Sequence, residues 1–374
     1  MSINRRRFFL FSGLAVGATA ATALARTQST PKSAANATTS PSTPSPIPVS
    51  QKTRSPNRVA LGPDGLFAPQ RGDIRIAIIS DLNSAYGATD YLPEVAQGIA
   101  LLPDWQPDLV LCGGDMVAGQ SLDLSQPQVE AMWSAFDEKI LAPIRTAQLP
   151  FALAIGNHDG SSYQNNGEFV YVLDRQETAK YWAGHQSDTQ ITFVEAAAFP
   201  FHYSFKQNNI FYLVWDASSA NIPAEQVDWA NRALSSPEAQ NADLRIVMGH
   251  LPLYAVAQKR DRPGEFLNQA DELRALLERH QVHTYISGHH HAYFPGKAGE
   301  LNTLHAGALG SGPKALLSST ADPFQTLTIM DLFLDTASTV YTTYNMNTMA
   351  VVDPQTLPLE IVGPNGRELR QDVA

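Results

Sequence analysis

Short apolar runs recur along this chain, each closed by a small cluster of glycine and polar residues. Five stand out, at Ile74–Ile79, Leu109–Cys112, residues 151–155, Leu244–Met248 and residues 282–286. They are rich in Ile, Val, Leu and Ala with little polar alternation, as strands are when a sheet is covered on both faces. Between the first two, residues 91–102 carry apolar side chains at helical spacing. Residues 128–141 do the same between the second and third, through Val129, Met132, Trp133, Phe136, Ile140 and Leu141. The alternation returns later, with helices expected near residues 224–234 and 269–280 on either side of the strand ending at Met248. Strand, helix, strand in this order requires right-handed parallel crossovers, and the chain reads as two similar halves.

Residues 325–334 and 338–344 predict two antiparallel strands joined by a turn at Asp335-Thr336-Ala337. The expected fold class is therefore α/β, with two mixed sheets packed face to face and helices outside. Residues 161–199 leave the pattern and are dense in aromatics, among them Tyr163, Phe169, Tyr171, Tyr181, Trp182, Phe193 and Phe199. That stretch reads either as a loop packed by its own side chains or as a cap facing a substrate.

The first quarter of the chain is of another kind. Residues 1–25 contain Asn4-Arg5-Arg6-Arg7-Phe8-Phe9-Leu10, a stretch of small apolar residues, and Ala23-Leu24-Ala25 in the small-x-small form of a cleavage site. This resembles a twin-arginine export signal, an address read by the export machinery rather than an anchor. An uncleaved membrane helix is the other reading, which the weakly apolar Ala, Gly and Thr content disfavours. Residues 26–70, rich in Ser, Thr, Pro and Ala, read as a disordered linker. A domain over 71–345 and a tail over 346–374 complete the expected organisation. The protein is expected outside the cytoplasm, periplasmic or extracellular, with no stable membrane span once the signal is removed.

Charge narrows the function. The formal net charge is −10, and the first 25 residues carry three arginines and no acid, so the remainder stands at −13. Such a surface attracts neither nucleic acid nor anionic lipid, which disfavours a nuclease. A phosphate-bearing ligand must be held locally, and bound cations would do it. Cys112 is the only cysteine and lies in an apolar run, so it reads as a small buried hydrophobe and no intramolecular disulfide forms.

The candidate chemistry sits at the ends of the apolar runs. Asp81 follows the first run and Gly114-Asp115 the second. Gly156-Asn157-His158-Asp159, Gly249-His250 and Gly288-His289-His290-His291 follow the other three. Each block alone has an ordinary explanation as a helix cap, a core turn or an accident of a loop. Together they do not, because five of the ten histidines fall in these few positions. Carboxylates, an amide oxygen and imidazoles brought from five strand ends to one sheet edge suit a pair of cations. Two such ions about 3.5–4 Å apart can clamp a phosphoryl group.

In this order the blocks resemble the signature of the calcineurin-like metallophosphoesterase superfamily, Asp-x-His, Gly-Asp, Gly-Asn-His-(Asp/Glu), Gly-His and Gly-His-x-His. The resemblance runs over residues 74–291 and more loosely to 344. It implies a two-sheet α/β/β/α sandwich with a dinuclear site at the strand carboxyl ends, and hydrolysis of phosphoric esters by a metal-bridging hydroxide without a covalent phosphoenzyme. Carried over residue by residue, Asp115 would bridge the two ions. Asp81 and His291 would hold the first; Asn157, through its amide oxygen, His250 and His289 would hold the second. His158 would protonate the leaving oxygen or stabilise charge on the transferring group, and Asp159 would orient the His158 imidazole. The implied cofactors are two metal ions from among manganese, iron, zinc and magnesium. The implied partner is a small phosphate-ester substrate, with monoester and diester both open.

One position departs from the signature. Asn83 stands where the family has histidine after Asp-x. An amide is the weaker, oxygen-donating ligand, so the first ion is expected to bind more loosely or to be a harder cation such as manganese or magnesium. Asn83 is either a direct ligand or a partner of the neighbouring loop or of a metal-bound water. It is also the one feature favouring an alternative function, a catalytically impaired metal-binding module on the same fold. His290 reads as a surface residue or a support for the ligands, and His202, His280 and His283 as structural. His305 opens a glycine-rich stretch through Gly312 that passes near the metals in one reading. Arg260, Lys297 and Lys314 are candidate phosphate partners or solvated surface.

Overall fold

The computed structural model describes residues 59–373, so the export signal at 1–25 and most of the linker at 26–70 lie outside the described residues. In chain order the first elements are β1 (Ile74–Ile79), α1 (Pro93–Trp105), β2 (Leu109–Cys112), α2 (Gln126–Phe136), a π-turn (Asp137–Leu141), α3 (Ala142–Thr146), β3 (Phe151–Leu153) and α4 (Asn157–Gly160). A small hairpin, β4 (Gln164–Asn165) with β5 (Glu168–Phe169), leads to α5 (Val172–His185), β6 (Thr192–Ala198), β7 (His202–Gln207) and β8 (Ile210–Val214). Next come α6 (Ala224–Leu234), α7 (Pro237–Gln240), β9 (Leu244–Met248), α8 (Ala270–Arg279) and β10 (Thr284–Ser287). The chain ends with β11 (Tyr293–Ala298), β12 (Leu301–Ala306), β13 (Thr326–Phe333), β14 (Ser338–Asn345), β15 (Ala350–Val351), β16 (Glu360–Gly363) and β17 (Gly366–Arg370).

Two mixed sheets face each other. The first has the order β15-β14-β13-β1-β2-β3 and the second β16-β17-β11-β12-β10-β9-β8-β7-β6. The five strands read from the sequence all pair in parallel: β1, β2 and β3 in one sheet, with β3 at its edge, and β9 and β10 inside the other, flanked there by the parallel strands β8 and β12. Period-two alternation sorts their side chains. Ile74, Ile76 and Ile78 of β1 join Tyr203, Phe205, Ile246 and Met248 in the layer between the sheets. Ala77 and Ile79 instead join Val95, Ile99, Met132 and Phe136 of the helices outside. The second sheet repeats the scheme, with Val247 and Tyr285 packed on Leu234, Leu273 and Leu277 of α6 and α8. Both faces of these strands are buried, which is why their sequences are almost uninterruptedly apolar; each such side chain contributes about 1.5–3 kcal/mol. Arg75 is the exception on β1, fully buried and 2.8 Å from Asp331, its register partner on β13.

Several boundaries differ from the sequence reading. Residues 59–70, expected in the linker, are part of the domain: Ala60 bridges Gln70, and the Leu61 and Pro69 carbonyls accept hydrogen bonds from Arg75 at 2.8 and 2.9 Å. Residues 346–373, expected as a tail, extend both sheets through β15 and the β16–β17 hairpin. Their buried polar residues are tied to the rest of the fold, Glu368 to His305 at 2.7 Å, while Arg370 donates to the Pro354 and Leu357 carbonyls. The aromatic stretch 161–199 is neither a self-packed loop nor a single cap. It contains α5, whose Trp182 is buried in the first core, while Tyr163 stays exposed. No helix among the described residues is long and apolar enough to cross a membrane.

Candidate metal centre

All five polar blocks meet at the carboxyl edge shared by the two sheets. Four of their residues, Asp81, Asp115, His289 and His291, adopt left-handed backbone angles, with φ of 53°, 54°, 63° and 53°. For a residue with a Cβ that conformation costs about 1–2 kcal/mol. It lets the chain turn sharply off the strand end and aim the side chain back over the sheet edge. The neighbouring glycines permit the resulting crowding: a Cβ on Gly156 would run into the Asp115 carboxylate, and one on Gly288 into Ser80 and Asp81.

Two donor groups form, one from Asp81, Asp115 and His291 and the other from Asp115, His250 and His289. Asp115 belongs to both, the place expected of a bridging carboxylate. Within the first, His291 Nε2 lies 3.1 Å from Asp81 Oδ1. In the second, His250 Nε2 lies 3.3 Å from Asp115 Oδ2 and 3.0 Å from Asn157 Oδ1. Asn157 donates its amide Nδ2 to Gln120 at 2.7 Å, which turns its oxygen toward the centre.

The remaining ring nitrogens have fixed partners. His250 Nδ1 faces the Gly113 carbonyl at 2.7 Å and His291 Nδ1 the Gly312 carbonyl at 3.0 Å, so each Nδ1 carries the proton and each Nε2 its lone pair. His289 is turned the other way. Its Nε2 lies 3.1 Å from Glu265, and its buried Nδ1 has no partner among the described residues. Three imidazole lone pairs, two carboxylates and an amide oxygen suit divalent or trivalent cations.

The electrostatics agree with that use. Burial works against charge on Asp81, yet His291 and His250 outweigh it and hold the carboxyl below its ordinary range. Asp115 is held low in the same way, by His250 and His158 against burial. Burial likewise opposes a proton on His250, but Asp115 and Asp81 raise it to about 9, so a cation taking the Nε2 lone pair would displace a second proton held there. The pocket therefore favours positive charge. His289, for which burial dominates, is lowered to about 4 and stays neutral.

His158 and Asp159 sit as expected in the chain but not in their roles toward each other. His158 Nδ1 faces the Gly119 carbonyl at 2.9 Å, its Nε2 lies 4.0 Å from Asp115 Oδ2, and its ring leans on Tyr86 with centroids 5.3 Å apart. Asp159 does not orient that imidazole. Its carboxylate accepts the backbone N–H groups of Asp115, Met116, Val117 and Gly156 at 2.7–3.0 Å. It is a loop clamp, and burial with the nearby Asp115 pushes its carboxyl up to about 7.

Asn83 is almost fully buried beside the first group, with its backbone N–H on the Asp115 carbonyl at 3.2 Å and its own carbonyl accepting from Ser311. Its side-chain amide makes no hydrogen bond among the described residues. His290 is buried between Val256 N–H and the Glu265 carbonyl, a support rather than a surface residue. His305 pairs with Glu368, whereas Gly312, in the stretch it opens, does reach the centre. Lys297 pairs with Glu300 on a hairpin and Lys314 is lowered by burial; of the candidate phosphate partners only Arg260 lines the site. A cleft of about 920 Å³ opens over His158, Asn157 and His289, with Tyr86, Tyr163, Arg260 and Glu265 on its walls. Gln120, Glu265 and the Gly113 and Gly312 carbonyls have no sequence signature. They meet the ligands only through folding.

The calcineurin-like phosphoesterase pattern matches residues 74–293, more than half of the chain and every block of the site. The chain belongs to the calcineurin-like phosphoesterase family. The match ends before β12 to β17, so the C-terminal strands of this chain lie beyond it. No curated protein sequence matches the chain. Among solved structures, the purple acid phosphatase PPD1 from yellow lupin (Lupinus luteus) seeds is similar at 18% identity, covering 77% of this chain and 54% of that one with a TM-score of 0.53. The chain thus spans about half the length of the lupin enzyme, and the likeness concerns the fold. GAP50 of Plasmodium, described as the anchor in the inner membrane complex, is similar at 15% identity over 75% of this chain and 87% of that one, TM-score 0.47. A dimetal phosphatase from Danio rerio is similar at 12% identity over 70% and 93%, TM-score 0.44. The family match and the two donor groups together mark this sheet edge as a candidate metal-binding site.

Proposed function

We propose that the protein is an exported phosphoric ester hydrolase working at a dinuclear metal centre on a small phosphate-ester substrate. The observation that carries this reading is the membership of Asp115 in both donor groups, with His158 Nε2 4.0 Å away at the cleft. Asp81, Asp115 and His291 would hold one ion; Asp115, Asn157, His250 and His289 would hold the other. When bound, two cations would supply Lewis-acid stabilisation of a phosphoryl group and a water acidic enough to act near neutral pH.

The chain's own residues do the rest. With Nδ1–H donated to the Gly119 carbonyl, the His158 imidazole presents Nε2 to the cleft, where a second proton on that nitrogen would pass to the leaving oxygen and return the ring to its neutral form. Asp159 holds the Asp115 loop to the Gly156 loop, which keeps the shared carboxylate and His158 in register. The cleft is much larger than a phosphate group, so it has room for an organic substituent on the ester. Export rests on the arginines and small-residue cleavage form of residues 1–25; a metal-loaded enzyme suits a route taken by proteins that fold first.

The test is hydrolysis of chromogenic aryl mono- and diesters by purified protein with added manganese, together with elemental analysis. Asp115→Ala should bind fewer ions and lose turnover by more than about 100-fold, since changes outside the ligands alone cost 10–100-fold. Near-normal hydrolysis by that variant would sink the assignment, and wild-type protein inert on both ester types would favour a binding module.

A further inference from the structure

We propose that Glu265 is a positioning residue for His289, setting which of its ring nitrogens is offered to a metal ion; the idea rests on the dinuclear reading above. Glu265 lies on the segment between the fourth and fifth polar blocks, outside every motif of the site. Its Oε2 is 3.1 Å from His289 Nε2, nearer than the Arg260 Nη1 at 3.5 Å. Ionised, a carboxylate only accepts, so Nε2 carries the proton and the lone pair is left on Nδ1. That Nδ1 is buried and unpartnered among the described residues, and His289 shares a donor group with Asp115 and His250.

Two guanidinium groups hydrogen-bond to Glu265 and hold it in place. Arg260 Nη1 lies 2.6 Å from its Oε2, and Arg262 lies 3.0 Å from its Oε1. Both oxygens are thereby engaged, so the carboxylate supports the histidine instead of competing for an ion. The segment is also fastened behind the site, because His290 Nε2 faces the Glu265 carbonyl at 2.9 Å and Leu267 N–H donates to the Pro252 carbonyl. His250 and His291 are oriented by backbone carbonyls and would resist single substitutions. His289 alone of the three depends on a side chain.

The experiment is manganese titration of the full metal-free chain, with thermal melting to confirm folding. Glu265→Ala removes the acceptor. Glu265→Asp keeps the charge for both arginines but is one methylene too short to reach Nε2. Each should weaken binding of one ion by about 10–100-fold. Glu265→Gln retains an acceptor oxygen and should recover most of that loss, as should Arg262→Gln, which leaves the bond to His289 intact. Wild-type affinities in Glu265→Ala and Glu265→Asp overturn the proposal, as does equal loss in all four variants. A wild-type chain that takes up one ion overturns the dinuclear reading instead. In that case the same Ala, Asp and Gln comparison on the single ion still decides the role of Glu265.

Discussion

The carboxylate of Asp159 lies 2.8 Å from the backbone N–H of Asp115, and this contact, rather than one with His158, explains its place in the site. Three further backbone N–H groups point at the same carboxylate. Asp159→Asn replaces one of the two accepting oxygens by an amide nitrogen, which turns a donor toward one pair of them. Leaving such donors buried and unpaired should cost about 3 kcal/mol, read as a lower denaturant midpoint. Metal uptake should fall with it, because the Asp115 loop is what the clamp holds. An unchanged midpoint would contradict the clamp.

Asn83 predicts unequal metal sites. Calorimetric titration with manganese should resolve one tighter and one weaker ion, the weaker belonging to Asp81 and His291. Asn83→His should tighten the weaker step by about tenfold or more. Two equally tight ions in the wild type would count against this.

Arg75 and Asp331 test the core of the first sheet. Arg75→Met leaves the Asp331 carboxylate buried and uncompensated, and should destabilise the domain by about 3–5 kcal/mol. Adding Asp331→Leu should restore much of the loss, measured as a double-mutant cycle in urea.

His283 predicts part of the acid sensitivity. Its Nδ1 meets Thr284 at 2.7 Å and its Nε2 meets Thr339 of the opposite sheet at 3.3 Å, and burial lowers its affinity for a proton below the ordinary 6.5. The unfolded chain therefore binds the proton first, so stability falls as pH drops below about 6.5. His283→Gln should show a smaller difference in urea midpoint between pH 7.5 and 5.5 than the wild type. An identical difference would assign the effect elsewhere.

Much of the fold could be read in advance, for a physical reason. β1, β2, β3, β9 and β10 are buried on both faces, and α1, α2, α6 and α8 each present one apolar stripe, so local composition reports their environment directly. α5 escaped because it buries Asp174, Glu177 and Thr178 beside Trp182, which erases the stripe. β11 carries Pro295 and Gly296, and β17 carries Glu368 and Arg370, residues that signal a strand only once neighbours pair them. In the site, the candidate ligands were visible because each stands next to its own strand end. Asp159 was given the wrong partner because its true partners are backbone N–H groups, which no side-chain pattern encodes.

The sequence by itself determined the alternation of strand and helix, the five polar blocks and their order, and hence the kind of centre this edge can build. Tertiary structure decided the rest: which nitrogen each histidine turns toward the site, and that Glu265 and Gln120 stand behind His289 and Asn157. Those choices depend on atoms far apart in the chain that approach within hydrogen-bond distance only when two sheets close on one another. Periodicity and composition describe a residue's own surroundings along the chain, and a contact such as that of Glu265 with His289 leaves no trace in either.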